Sequence, residues 1–241
     1  MKVSDIAKNK IDRLPLGYVF TYDDFDIDVN NMDALMKTLS RLASEGKIRR
    51  LSIGRYYKPE ISEFGELKPD VYQIVKDLLE KDGKIIGYLT GYSIYNKLGL
   101  TTQVANVIQI GTGDVKKNMR RGIYKIRFIK QKNKITKENI PLLRILDSIR
   151  NIKEIPDSNI NNSCIVISDI IQKFSDSDLK QLIRLAQNYN PATRALLGAI
   201  IELKFGSEVS EELYKSLNPA SEYDLNISES ILPNKQKWQI I

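Results

Sequence analysis

Gly46 is the residue that most constrains the fold. Ahead of it, Met32, Leu35, Met36, Leu39 and Leu42 recur at i, i+3, i+4 and i+7, which gives a helix one apolar face. A glycine there supplies the left-handed residue that ends a helix. Directly after it runs "KIRRLSIGRYYKP", two short basic extended pieces joined around Ser52–Gly54. An amphipathic helix that stops abruptly and turns into a basic hairpin fits few small-domain layouts.

The preceding residues narrow the choice. Val3, Ile6, Ala7, Ile11 and Leu14 form the apolar stripe of a first helix, which Pro15 and Gly17 stop. "YVF" reads as a short strand. Thr21 with Asp24 has capping-box spacing and starts a second helix or turn, and Asn30 with Asp33 repeats that spacing at the start of the third helix. Helix, strand, helix, helix, hairpin is the order of a winged helix-turn-helix. The third helix then turns Asn31, Asp33, Ala34, Lys37, Thr38 and Arg41 outward, where they can enter a major groove. The hairpin presents Lys47, Arg49, Arg50 and Arg55 to phosphates or a minor groove. The competing reading is a small helical domain with an unrelated surface hairpin. Asp23, Asp24, Asp26 and Asp28 weigh against DNA on their side and suit helix starts.

Pro59, Gly65 and Pro69 mark a linker. Beyond it, a helix is predicted from Pro69 to Lys81 and another around Ser93 to Leu98. Strands are predicted in "VANVIQIGTG" and "IYKIRFIKQK", the latter from alternation of Tyr124, Ile126 and Phe128 with charged neighbours. "GDVKKNMRRG" between them reads as a basic turn. "GTGDVKKN" lacks the spacing of a phosphate-binding loop. After residue 138 the pattern is mainly helical, with Ser175 and Asp178 as a capping box and Pro191 opening a further helix.

Charge sharpens the functional reading. The net charge is +7, yet residues 115–137 alone hold ten lysines and arginines and no acid. Lys116, Lys117, Arg120, Arg121, Lys125 and Arg127 are therefore candidates for additional phosphate contacts. The 241 residues include no histidine, which removes histidine-based triads and every histidine-containing zinc site. No carboxylate pair converges on a nucleophile, so no enzymatic activity, cofactor or metal is expected. The one cysteine, Cys164, allows no internal disulfide and suits a reducing cytoplasm. No apolar run approaches the ~20 residues of a membrane span, so no membrane partner is expected.

"LSRLASEGKIRRLSIGRYYKP", "LGLTTQV" and "NPATRALLGAIIEL…SLNPASEYDL" together resemble the AbiEi-type antitoxins of type IV toxin–antitoxin (abortive phage infection) systems. The resemblance runs from the first helix to about residue 232. It implies a winged helix that binds inverted repeats in its own promoter and represses it. It also implies a C-terminal domain that counteracts a co-encoded nucleotidyltransferase-like toxin without a stable complex. DNA contacts carry over to Arg41, Lys47, Arg49, Arg50, Arg55 and Tyr56. The expectation is an α+β protein: a winged helix-turn-helix over 1–60, then a mixed α/β C-terminal antitoxin domain over 61–241, with strands at about 104–130. Two alternatives stay open: neutralisation of the toxin by direct contact of the C-terminal domain, and a winged-helix regulator unrelated to any toxin.

Overall fold

Gly46 adopts φ +76° at the end of the helix Met32–Ser44. The Gly46 amide donates to Ala43 O and the Lys47 amide to Leu42 O, which satisfies two carbonyls that the helix end would otherwise orphan. This computed structural model describes residues 2–103 and 106–241, so the first two positions of a predicted strand, Val104 and Ala105, lie outside the described residues. Helices and sheets both contribute, in an α+β fold. The chain divides into two units, Met1–Asp77 with Met119–Tyr124, and Leu78–Asn118 with Lys125–Ile241.

In the first unit, α1 (Val3–Arg13) leads to β1 (Val19–Thr21), α2 (Met32–Ser44), β2 (Arg49–Ser52) and β3 (Arg55–Tyr57). The strands form an antiparallel sheet in the order β1-β3-β2, with Phe20 opposite Tyr56 and Arg50 opposite Tyr56. A bulge at Leu51 shifts the register between Arg50 and Ser52, and Gly54 turns the tip at φ +71°. Ala7, Ile11, Phe20, Phe25, Leu35, Leu39, Leu42, Ile48 and Tyr56 make the core. Each large apolar side chain fully buried here contributes about 1.5–3 kcal/mol. Lys58 Nζ donates to Asp12 O and Leu14 O, capping the end of α1.

Several elements of this unit differ from the sequence expectation, among them the Asn30–Asp33 capping box, which does not form: Asn31 is the N-cap of α2 and makes no side-chain cap bond. The Thr21–Asp24 capping box forms, but it opens a single 3-10 turn, Tyr22–Asp24, in place of a full helix. The four aspartates among residues 22–28 leave too little apolar surface to support more. The predicted linker also folds: β4 (Glu60–Ser62) and β5 (Gly65–Leu67) pair as a hairpin, with Phe64 98% exposed at its tip. Helix α3 (Val71–Leu79) follows, shorter than the predicted Pro69–Lys81, and it straddles the division between the units.

The second unit starts with β6 (Glu80–Lys81) and β7 (Lys84–Ile85), a hairpin whose Asp82–Gly83 turn has positive φ at both residues. Next come β8 (Gly87–Thr90), α4 (Tyr92–Tyr95) and β9 (Val107–Thr112). After β10 (Met119–Arg121), which belongs to the first unit, comes β11 (Tyr124–Lys130). β9 is central, antiparallel to β8 and parallel to β11. Gly111 faces Tyr88 across the pair, and a Cβ there would come within 2.3 Å of the Tyr88 ring. That glycine, part of the rejected phosphate-loop candidate, is a seat for an aromatic ring.

Helices α5 (Asn139–Arg150), α6 (Ile160–Ile171), α7 (Asp176–Ala186), α8 (Pro191–Phe205) and α9 (Ser207–Lys215) supply most of the second core. α5 packs against α7 and α8, and α8 against α9. The Ser175–Asp178 capping box starts α7 as predicted, and Asn190 caps α8 ahead of Pro191. Gly198 in α8 leaves room for Trp238, whose ring would lie 2.1 Å from a Cβ at that position. The indole N–H donates to Glu202 Oε2 at 2.6 Å.

Candidate nucleic-acid interface

Helix α2 presents Asn31, Asp33, Ala34, Lys37 and Arg41 on its exposed face. Lys37 makes no ion pair among the described residues. Arg41 approaches Glu45 at 3.7 Å, and Lys47 approaches the same carboxylate at 3.0 Å. The Lys47 hydrogen bond, followed by its charge and that of Arg41, holds the Glu45 carboxyl below its ordinary value. Both pairs are solvent-exposed, where such contacts are worth about 0–1 kcal/mol, so a phosphate can replace the carboxylate.

Thr38, expected on that outward face, is buried (8% exposed), and its hydroxyl donates to Ala34 O at 2.8 Å. It sits three residues after Leu35 and four before Leu42, so helical spacing returns it to the apolar stripe. The same correction applies to Tyr56, which points into the core. Its ring packs with Phe20, and burial, then its hydrogen bond with Tyr22, pushes the hydroxyl up to about 12. Strand alternation at "RYY" carries this signal, because Arg55 and Tyr57 face away from Tyr56.

The hairpin arginines divide by partner. Arg50 is exposed and makes no ion pair among the described residues, and beside it the tip residue Ile53 is 85% exposed. Arg49, in contrast, donates from Nε to Glu66 at 2.8 Å and from Nη1 to Gly46 O, and Tyr57 donates to the other oxygen of Glu66. Burial, then that Glu66 contact, raises the Tyr57 hydroxyl to about 12. The β4–β5 hairpin therefore supplies an acid that engages one of the expected phosphate contacts.

Arg55 and Arg121 share Asp77. Arg121 is 3% exposed, donates to both Asp77 oxygens at 2.6 and 2.7 Å, and gives a further bond to Ile74 O. Arg55 reaches Asp77 Oδ2 at 2.7 Å. Burial opposes the charge on Asp77, yet hydrogen bonds from Arg121 and then Arg55 outweigh it and hold the carboxyl below its ordinary value. Arg121 is thus a buried anchor with no path to a phosphate. Nearby, Gly122 at φ +57° brings its backbone so close to β2 that a Cβ would meet Leu51 O at 2.7 Å.

Of the remaining basic candidates, Lys117, Arg120, Lys125 and Arg127 are exposed, while Lys116 is half-buried with its ammonium 5.7 Å from the Phe128 ring centre. They do not form one body: Arg120 and Arg121 belong to the first unit, and Lys116, Lys117, Lys125 and Arg127 to the second. Among the described residues, no group of acids or cysteines is placed to hold a metal ion, and no helix is long and apolar enough to cross a membrane.

A family model described as "Family of unknown function (DUF6088)" matches residues 6–182. The chain belongs to this family. No curated protein matches it. The crystal structure of the RV2827C protein from Mycobacterium tuberculosis is similar in fold, with a TM-score of 0.60 at 12% identity over 99% of this chain and 88% of that one.

The DUF6088 match takes in a polar network in the second unit that sequence reasoning missed. Asp147 on α5 is 1% exposed and accepts hydrogen bonds from Tyr88 at 2.7 Å, Thr90 at 2.6 Å and Tyr189 at 2.9 Å. Gln131 Nε2 donates to both tyrosine hydroxyls, at 2.9 and 2.8 Å, so each hydroxyl accepts once and donates once. Burial, then the neighbouring Asp147 charge, raises the pKa of both phenols. Arg150 adds an ion pair at 3.2 Å. Of this network only Tyr189 lies beyond the DUF6088 match.

Proposed function

We propose that this protein binds double-stranded DNA through its first unit as a winged helix-turn-helix, represses its own promoter, and acts as the antitoxin of a type IV toxin–antitoxin pair. The observation that carries the DNA reading is the juxtaposition of the exposed polar face of α2 with the β2–β3 hairpin. Helix α2 buries Leu35, Leu39 and Leu42 and leaves Asn31, Ala34, Lys37 and Arg41 outward. These are the short and cationic side chains that base edges and phosphates accept. The hairpin adds Arg50 beside an exposed apolar tip. A full second helix is absent, so the Tyr22–Asp24 turn fills its place between β1 and α2.

The antitoxin part of the reading is supported by the AbiEi resemblance, which spans both units. Footprinting on the DNA upstream of the gene tests the promoter role: a protected inverted repeat is expected, and no protection at moderate salt would overturn it. Co-expression with the neighbouring nucleotidyltransferase-like toxin tests the antitoxin role, with restored growth as the expected result.

A further inference from the structure

In the second unit, a cleft of about 990 Å³ opens between the start of α5 and the exposed side of α7. That volume lies at the upper end of the range for small-molecule sites, about 300–1,000 Å³. Its lining mixes three chemistries. Leu142 and Leu185 offer an apolar wall, Asn188 and Gln181 offer amides, and Lys134, Lys180 and Arg184 offer positive charge.

The charges lack internal partners: none of the three cations makes an ion pair among the described residues. The two carboxylates at the cleft are engaged elsewhere. Asp178 accepts from Ser175 Oγ at 2.7 Å in the α7 cap. Glu138 is held below its ordinary value by its own backbone amide, then by the Thr136 hydroxyl. Three cations against these two carboxylates leave the lining one positive charge in excess, which an anionic ligand group would meet.

The amides are held in place from behind. Asn188 Nδ2 donates to Asn133 Oδ1 at 2.7 Å, and Asn133 Nδ2 donates to Leu185 O. The Asn133 amide N–H is accepted by Gln131 Oε1, and Gln131 is clamped by the two tyrosines on Asp147. Likewise Gln181 Nε2 donates to Asn139 Oδ1, whose own amide is tied to Lys134 O. Asn188 keeps one N–H and its carbonyl oxygen free, and Gln181 keeps its carbonyl oxygen. A fixed amide offering one donor and one acceptor matches the N6 and N7 edge of adenine.

We propose that this cleft binds an adenine nucleotide, with the base edge on Asn188, the ring against Leu142 and Leu185, and the phosphate on Arg184, Lys180 and Lys134. The ligand is a free nucleotide or the phosphorylated end of a strand, which present the same chemistry. The proposal is independent of the DNA-binding reading, because every residue it uses lies in the second unit.

Titration calorimetry of the full chain with AMP, adenosine, CMP and inorganic phosphate tests it. A double variant Lys180→Ala/Arg184→Ala should weaken AMP at least tenfold and leave adenosine unchanged, and Asn188→Ala should erase the preference for AMP over CMP. Both changes are at exposed positions, and an unaltered thermal melt verifies folding. A 5′-phosphorylated oligonucleotide that binds with the same Arg184 dependence, where AMP does not, supports the strand-end form. No saturable binding of either at millimolar concentration, phosphate competing as well as AMP, or AMP affinity unmoved by the double variant would overturn the proposal.

Discussion

The two units hold a carboxylate in different ways. In the helical unit, Asp147 is enclosed by the hydroxyls of Tyr88, Thr90 and Tyr189, and a single glutamine orients the two tyrosines. In the first unit, Asp77 lies at a rim, 42% exposed by its side chain, and is gripped by two arginines from distant parts of the chain. Three hydroxyl dipoles and one arginine share the first charge, and two arginines neutralise the second. The cage engages one cation of the second unit, Arg150. The arginine fork removes two cations from the supply available to a polyanion. A basic stretch of sequence therefore overstates basic surface wherever an acid distant in sequence claims part of it.

Removing the caged carboxyl should have the largest effect. Asp147→Ala strands three buried hydroxyls, each costing about 1–3 kcal/mol, so a loss of about 3–5 kcal/mol is expected in urea unfolding. Asp77→Ala leaves Arg121 buried without its counter-charge, and solvent at the rim limits the loss to about 2–3 kcal/mol. If Asp77→Ala proves as costly as Asp147→Ala, the distinction between cage and rim fails. Arg121→Met sharpens the same contrast: Asp77 keeps Arg55 and solvent, so no buried charge is left unpaired and a loss smaller than that of Asp77→Ala is expected.

Smaller effects follow. Gly122→Ala should cost about 1–2 kcal/mol from positive φ and crowding against Leu51 O, while Gly113→Ala, with open space around it, should stay within about 0.5 kcal/mol. The acid and alkaline limbs of a stability profile also separate two devices of the first unit. Asp77 is depressed below 3.8, so its contribution is present above that pH and is lost as pH falls through its lower folded value. Tyr57 is raised from 10.0 to about 12, so the contribution of its neutral hydroxyl is present below pH 10 and is lost as pH rises toward 12. Smallest is the effect on DNA: Lys37→Ala and Arg50→Ala should each lower the log–log salt slope of promoter binding by about 0.9, and Tyr56→Phe should leave it unchanged.

Local signals were legible in the sequence and distant ones were not. The Gly46 cap, the Thr21–Asp24 and Ser175–Asp178 boxes and the apolar face of α2 all depend on residues within one or two turns. Alternation would also have turned Tyr56 inward, and helical spacing would have done the same for Thr38. Helix α6 escaped notice because "INNSCIVISDII" mixes small polar and apolar residues with no clear stripe, although Asn159 caps it. β8 is buried at all four residues, so it lacks the alternation that marks a half-exposed strand. Nothing local distinguishes buried Arg121 from exposed Arg120, since its acid partner lies 44 residues away. The cleft was equally hidden, because α5 and α7 bring Asn139 and Gln181 together from 42 residues apart.

Trp238, seated in the slot left by Gly198, is the chain's one tryptophan. Its emission reports solely on its own surroundings in the second unit, whereas far-ultraviolet circular dichroism averages over both. Comparing the two signals during a single melt therefore measures whether the units lose structure together or in turn, without any label. A redshift that lags the loss of ellipticity would mean that the first unit opens while the helical part is still closed.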